Sequence, residues 1–240
     1  MSDIKEDKEE SLIYHIEALR TTLIKCFVSV GIVLPFAFYF SPKVLNFLIK
    51  ILISDNNITL NYFAPMEIFI LQIKLALLLA LSVTFPYIIK NIWDFVLPAL
   101  YEHERKLIRS TVVISTCLFI SGVIFCLFII LPLIINFGIS FGNQQVSPVW
   151  GISNLMSLAL TLAFTFGLMF QVPLITHALI KADIISYESV SSKRRYVIVI
   201  LLIISALLTP PDIVSQILMF IPTYLLFELG LLFSKADKKN

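Results

Sequence analysis

Six stretches of this chain are apolar almost without interruption: 21–40, 68–89, 110–135, 152–180, 196–209 and 213–233. Between them lie short polar segments. Runs of about 20 apolar residues match a hydrocarbon core of roughly 30 Å at a rise of about 1.5 Å per residue. The pattern therefore predicts an all-α, polytopic membrane protein with six transmembrane helices. Ahead of the first stretch, residues 9–25 show helical periodicity. Leu12, Ile16, Leu19 and Leu23 fall on one face, and Glu10, Tyr14, Glu17 and Thr21 on the other.

Three segments depart from a plain span. Residues 41–67 form the longest expected loop, with a short apolar helix over Lys43–Ile53 and a turn at Asp55-Asn56-Asn57. The fourth stretch is long and carries Gln171 just before Pro173, an amide that must face other helices or a wet cavity rather than lipid. The last two stretches are short. Fourteen residues separate Arg195 from Pro210, about 21 Å of helix, so this pair should thin the bilayer locally or admit water. Thr209-Pro210-Pro211-Asp212 reads as a rigid stop and restart between them.

Charge supplies the orientation. With the N-terminus placed in the cytoplasm, fifteen of the 18 Lys and Arg fall on that side, leaving Lys43, Lys50 and Lys74 outside or near the outer end of a span. The positive-inside rule then puts both termini in the cytoplasm. Lys74 is expected to snorkel to the outer interface. The first twenty residues, with five acids before position 11, are too acidic for a signal-peptide leader, so the first span should be retained.

Composition sharpens this without adding chemistry. At 58% hydrophobic and 14% charged, the 240 residues leave little for a soluble domain, and the whole chain, 1–240, is expected to be one membrane domain. Net charge +2 is spread over membrane-flanking segments and implies no nucleic acid. Cys26, Cys117 and Cys126 lie in apolar stretches as small fillers, with Cys117 and Cys126 on opposite helix faces. There is no GxxxxGK[ST], HExxH or GxSxG, so no catalytic residue, metal or cofactor is expected. His177, near the cytoplasmic end of the fourth stretch, reads as an interfacial residue.

The segment 90–109 places Trp93 and Tyr101 at headgroup level, ends a short helix at Pro98, and puts Glu102 and Glu104 in the first turn of the third span. Those carboxylates have two readings, as helix caps or as ligands for a cation. Glu17 likewise either pairs with Arg20 or is offered outward.

Four blocks in this order resemble TatC, the membrane receptor of the twin-arginine protein translocase. They are His15-Ile16-Glu17-Ala18-Leu19-Arg20, then Pro65-Met66-Glu67-Ile68-Phe69 with Lys74, then Phe95 to Arg105. The last is Lys193-Arg194-Arg195-Tyr196 with Leu208 to Asp212 and Gln216. The resemblance covers the whole chain. It implies a concave, cup-like bundle in the plasma (inner) membrane, exporting folded proteins with the proton motive force alongside TatA and TatB in a hetero-oligomeric complex. Twin-arginine signal peptides would be bound by Glu17, Arg20, Phe95 and Glu104. Gln171 matches an intramembrane position that is often Glu in the family, and here it cannot titrate. Partner contacts are implied at Pro210, Pro211, Asp212, Gln216 and Glu228. One departure stands out: the family pattern H-L-x-E-L-R has its Glu where this chain has Ala18, about 100° of helix rotation from Glu17.

Physical chemistry supports the same site. A carboxylate accepts a guanidinium through two parallel hydrogen bonds, which an ammonium cannot copy. A different class of function, a proton-coupled small-solute transporter, would need titratable groups in mid-span. Only Lys74 and Glu228 come near, both towards helix ends.

Overall fold

A computed structural model describes the backbone of residues 3–53, 60–96, 105–140, 149–181, 184–208 and 213–237, and the side chains within 16–52, 60–95, 110–140, 149–181, 184–208 and 213–235. In chain order the described elements are α1 (Asp3–Ile53), β1 (Leu60–Asn61), α2 (Glu67–Val96) and α3 (Arg105–Phe125) with a π-helical continuation over Cys126–Ile130. Then come α4 (Leu131–Ser140), β2 (Trp150–Gly151), α5 (Ile152–Met169), α6 (Val172–Lys181), α7 (Tyr187–Ser192), α8 (Arg194–Leu208) and α9 (Ile213–Asp237). Among the described residues five segments are long and apolar enough to cross a membrane: Ile16–Leu52, Glu67–Phe95, Ser110–Ser140, Ile152–Lys181 and Ile213–Lys235. The expected fifth stretch is α8, which at 15 residues is shorter than any of them.

Prolines decide where these helices bend or break. The separate Lys43–Ile53 helix expected from sequence is instead the end of α1, which runs through Pro42. Proline has no N–H for the carbonyl of Phe38, and the Ser41 hydroxyl donates to that oxygen at 2.8 Å in its place. Pro132 is accommodated differently. Just before it the helix widens, so that the Leu131 N–H pairs with Cys126 O five residues back. Pro173 breaks the long fourth stretch into α5 and α6. The Phe170 N–H bonds to Phe166 O, the Gln171 N–H tightens onto Leu168 O, and Gln171 O starts the next helix by accepting from Ile175 N.

The chain divides into two compact units, Met1–Ser41 with Ala76–Thr116, and Pro42–Leu75 with Cys117–Asn240. In the first unit α1 and α2 meet through small residues: Ala37, Ala76 and Ala80 are buried, flanked by Val30, Val33 and Leu79. Side chains this small let two apolar helices approach closely where lipid gives no hydrophobic drive. Trp93, expected at the headgroup level, is buried near the end of α2.

The second unit is built on glycine contacts and one apolar cluster. A methyl group on Gly122 would lie 2.6 Å from Phe166 O, and one on Gly167 would lie 2.6 Å from the Phe119 ring, so α3 crosses α5 with almost no side chain between them. The Phe125 ring packs at a tilt against Phe166 and Phe170, with centroids 5.9 and 5.6 Å away, beside this crossing. Ile180, Leu201, Phe227 and Leu231 join α6, α8 and α9 in a common core. A feature absent from the sequence reading is the parallel pairing of β1 with β2, Leu60 opposite Trp150 and Asn61 opposite Gly151.

Candidate functional site

The first unit carries the residues expected to meet a signal peptide. Glu17 and Arg20 sit three residues apart on the N-terminal arm of α1, and both side chains are exposed. No ion pair joins them among the described residues. At this turn Thr21 Oγ1 donates to the Glu17 backbone O at 2.9 Å. Pairing of Glu17 with Arg20 is thus not seen among the described residues, and the Glu17 side chain is exposed. Ile16, Leu19 and Leu23 are exposed beside it, so this arm presents an apolar stripe along with its charges. Phe95 is half-buried near the end of α2, next to exposed Asp94 and buried Trp93. Glu104 lies outside the described residues; α3 begins immediately after it, at Arg105.

The second unit holds Gln171, expected at membrane depth, and further polar side chains of the apolar helices. Gln171 is buried at the break between α5 and α6 created by Pro173. Beyond it, α6 and α9 are in close contact: a methyl group on Gly230 would lie 2.7 Å from Pro173 Cα. The same seam carries a polar link. Ser234 Oγ lies 2.9 Å from Gly230 O on its own helix and 3.3 Å from His177 Nδ1 across the seam, within hydrogen-bond reach of both. His177, expected as an interfacial residue, is half-buried in this seam.

Across α8 and α9 lies a bidentate ion pair. Arg194 Nε donates to Glu228 Oε1 at 2.8 Å and Arg194 Nη2 to Oε2 at 3.2 Å, while Tyr224 OH donates to Oε1 at 2.9 Å. The Arg194 and Glu228 side chains remain 43% and 27% exposed. Two parallel bonds and a third donor fix the carboxylate in one orientation. Gln216 adds a second tie, its Nε2 donating to Leu202 O at 3.2 Å. Of the residues expected to meet partners, Gln216 and Glu228 thus fasten α9 to α8, and Pro210, Pro211 and Asp212 lie outside the described residues. Sequence reasoning missed Arg194, because three consecutive basic residues, Lys193 to Arg195, explain membrane orientation equally well. Only the fold selects the one facing Glu228.

Glu67 was also missed as an organising residue. Its Oε2 accepts from Phe63 N at 2.7 Å and Ala64 N at 3.2 Å, and its Oε1 accepts from Ser153 N at 3.2 Å. One carboxylate thereby joins the segment after β1 to the first turn of α5. Among the described residues no group of His, Cys, Asp and Glu is arranged to hold a metal ion.

Comparison with known proteins gives a consistent answer. The family model for TatC, described as Sec-independent protein translocase protein, matches residues 14–222. The Sec-independent protein translocase protein TatC of Haemophilus influenzae is 36% identical over 238 residues, covering 95% of this chain and 90% of its own length. The TatC of Escherichia coli K12 is 33% identical over 231 residues, with 94% and 88% covered. A crystal structure of the twin arginine translocase receptor TatC aligns with a TM-score of 0.85 at 32% identity, covering 93% of this chain and 99% of the other.

Proposed function

Because this chain belongs to the TatC family of Sec-independent protein translocase components, we propose that it is the signal-peptide receptor and core subunit of a twin-arginine translocase. It works in the inner membrane with both termini cytoplasmic, six helices crossing the bilayer, and the proton motive force driving export of folded proteins. The observation that carries the reading is the exposed Glu17 carboxylate, unpaired with Arg20, on an arm with an apolar stripe. A twin-arginine signal peptide offers the complement: guanidinium groups followed by an apolar run. Glu17 and Glu104 accept one guanidinium each, Arg20 repels stray single cations, and Phe95 packs against the peptide's apolar segment.

TatA and TatB are the partner subunits, and the α8–α9 hairpin from Pro210 to Gln216 is where they dock. Glu228, held by Arg194 and Tyr224, sets the geometry of that hairpin. The brevity of α8 supports local thinning of the bilayer at this point. A proton-coupled solute transporter finds no comparable support, since the intraspan carboxylate Glu228 is already matched to an arginine.

The test is binding of an Arg-Arg signal peptide to the detergent-purified protein beside its Lys-Lys counterpart. A preference for Arg-Arg of about tenfold or more is expected from the loss of bidentate contacts. It should vanish in Glu17→Ala/Glu104→Ala. Equal binding of the two peptides, unchanged on adding TatB, would refute the receptor assignment.

A further inference from the structure

The geometry points to a binding site for the phosphate of an anionic phospholipid at Lys74 and Ser157, on the lipid-facing seam between α2 and α5. Along α2, Ile70, Ile73 and Leu77 are exposed, whereas Leu71 and Leu75 are buried at 0% and 2%. Lys74 is exposed within that outward stripe. A cation among apolar side chains that face lipid calls for an anion or water at its head.

The ammonium is held rather than free. Lys74 Nζ donates to Ser157 Oγ on α5 at 3.2 Å. One turn earlier on α5 stands Ser153, whose backbone is already tied to Glu67. Both helices start at this end, so Ser157 lies about 6 Å along α5 from Ser153, while Lys74 lies about 10 Å along α2 from Glu67. To meet Ser157 the lysine side chain therefore reaches back towards the β1–β2 end, one turn below the polar loops, where phospholipid phosphates lie.

Ser157 differs from three other serines of the apolar helices. Ser29, Ser82 and Ser121 turn their hydroxyls back onto carbonyls of their own helix, at 2.7 to 2.8 Å. Among the described residues Ser157 makes no such bond; it accepts from Lys74, which leaves its own proton to donate. Two ammonium N–H groups and one hydroxyl thus remain beside each other, and exposed Asn154 adds a polar group one turn away on the same face of α5. No carboxylate pairs with Lys74 among the described residues, and Glu67 is occupied by three backbone N–H groups. Three clustered donors with no acceptor suit a phosphodiester oxygen, and the flanking Ile70 and Ile73 suit its acyl chains. That apolar frame favours a lipid over free phosphate.

The experiment is lipid retention by the purified full-length protein in mixed micelles of equimolar phosphatidylglycerol and phosphatidylcholine, read by native mass spectrometry. Inorganic phosphate is added in a competing arm. Wild type should prefer phosphatidylglycerol about tenfold, the worth of one charge-assisted hydrogen bond. Lys74→Gln should abolish the preference, Ser157→Ala should reduce it several-fold, and Lys74→Arg should preserve it. Lys74→Arg and Ser157→Ala keep the fold and separate loss of the site from loss of structure. An unchanged preference in Lys74→Gln overturns the proposal. So does displacement by equimolar inorganic phosphate, which would leave a plain anion site. Absence of lipid preference combined with crosslinking of Lys74 to a carboxylate on a partner helix would assign the site to protein instead.

Discussion

Replacing Gly230 by alanine pushes a methyl group into backbone that has no rotamer with which to yield. The added Cβ would lie 2.7 Å from Pro173 Cα and 2.8 Å from Pro173 O, where ordinary contact begins at 3.4 Å. To relieve it, α6 must move away from α9 by about 0.7 Å, stretching the His177–Ser234 hydrogen bond in the same seam. Overpacking of this kind costs about 1–3 kcal/mol. The better helix propensity of alanine returns at most about 1 kcal/mol. The net loss is therefore up to about 2 kcal/mol, which for a chain of this size lowers Tm by up to roughly 8 °C, and by more when measured against a glycine whose added methyl meets nothing. Gly31→Ala is the matched control, since a Cβ there meets nothing within 4 Å. It carries only the propensity gain and should leave Tm unchanged or raise it by up to about 4 °C. Thermal unfolding of both variants in the same detergent, followed by circular dichroism at 222 nm as roughly the usual helix band, reads the difference directly. If the two variants shift together, the close helix approach at Pro173 is not what glycine serves.

Two further perturbations read the polar ties. Arg194→Ala and Glu228→Ala each leave a charge without its partner in a half-buried place, and each should cost about 1–3 kcal/mol. The double variant should cost less than the sum, with a coupling energy of about 0.5–3 kcal/mol by thermal or denaturant unfolding. Simple additivity would mean that the pair contributes nothing. Glu67→Gln keeps the size of the side chain but weakens its acceptor for three backbone N–H groups, so hydrogen exchange at Phe63, Ala64 and Ser153 should accelerate about tenfold for each 1.4 kcal/mol lost. Unaltered exchange at all three amides would remove Glu67 as the clasp between these segments.

Much of the helical plan is written in local sequence. Runs of apolar residues, their lengths and the distribution of Lys and Arg need only a bilayer to be interpreted. Prolines 132 and 173 mark places where a missing N–H forces a widened turn or a break, and both irregularities appear there. Yet proline alone does not say which outcome follows. At Pro42 the helix continues, because Ser41 happens to stand where its hydroxyl reaches the orphaned Phe38 carbonyl. Trp93 is a related case: an indole near a helix end suits an interface, a packed interior or both, and its burial is visible only in the fold.

The candidate site was legible unevenly. Glu17 and Arg20 were found as charges on the arm of an amphipathic helix, but only the fold shows that they do not neutralise one another. Glu228 was visible as a charge near a helix end; its arginine, 34 residues away, was one of three equivalent candidates. Glu67 and Ser153 are 86 residues apart, Lys74 and Ser157 83, with nothing in local pattern to connect them. By itself the sequence determined which segments are helical, which are long enough to span, and which side chains are chemically able to bind a guanidinium. The tertiary structure alone decided which of those groups are spent on one another and which remain available. Periodicity and charge act over a few residues of one helix, whereas partners are chosen by helices meeting across long stretches of chain.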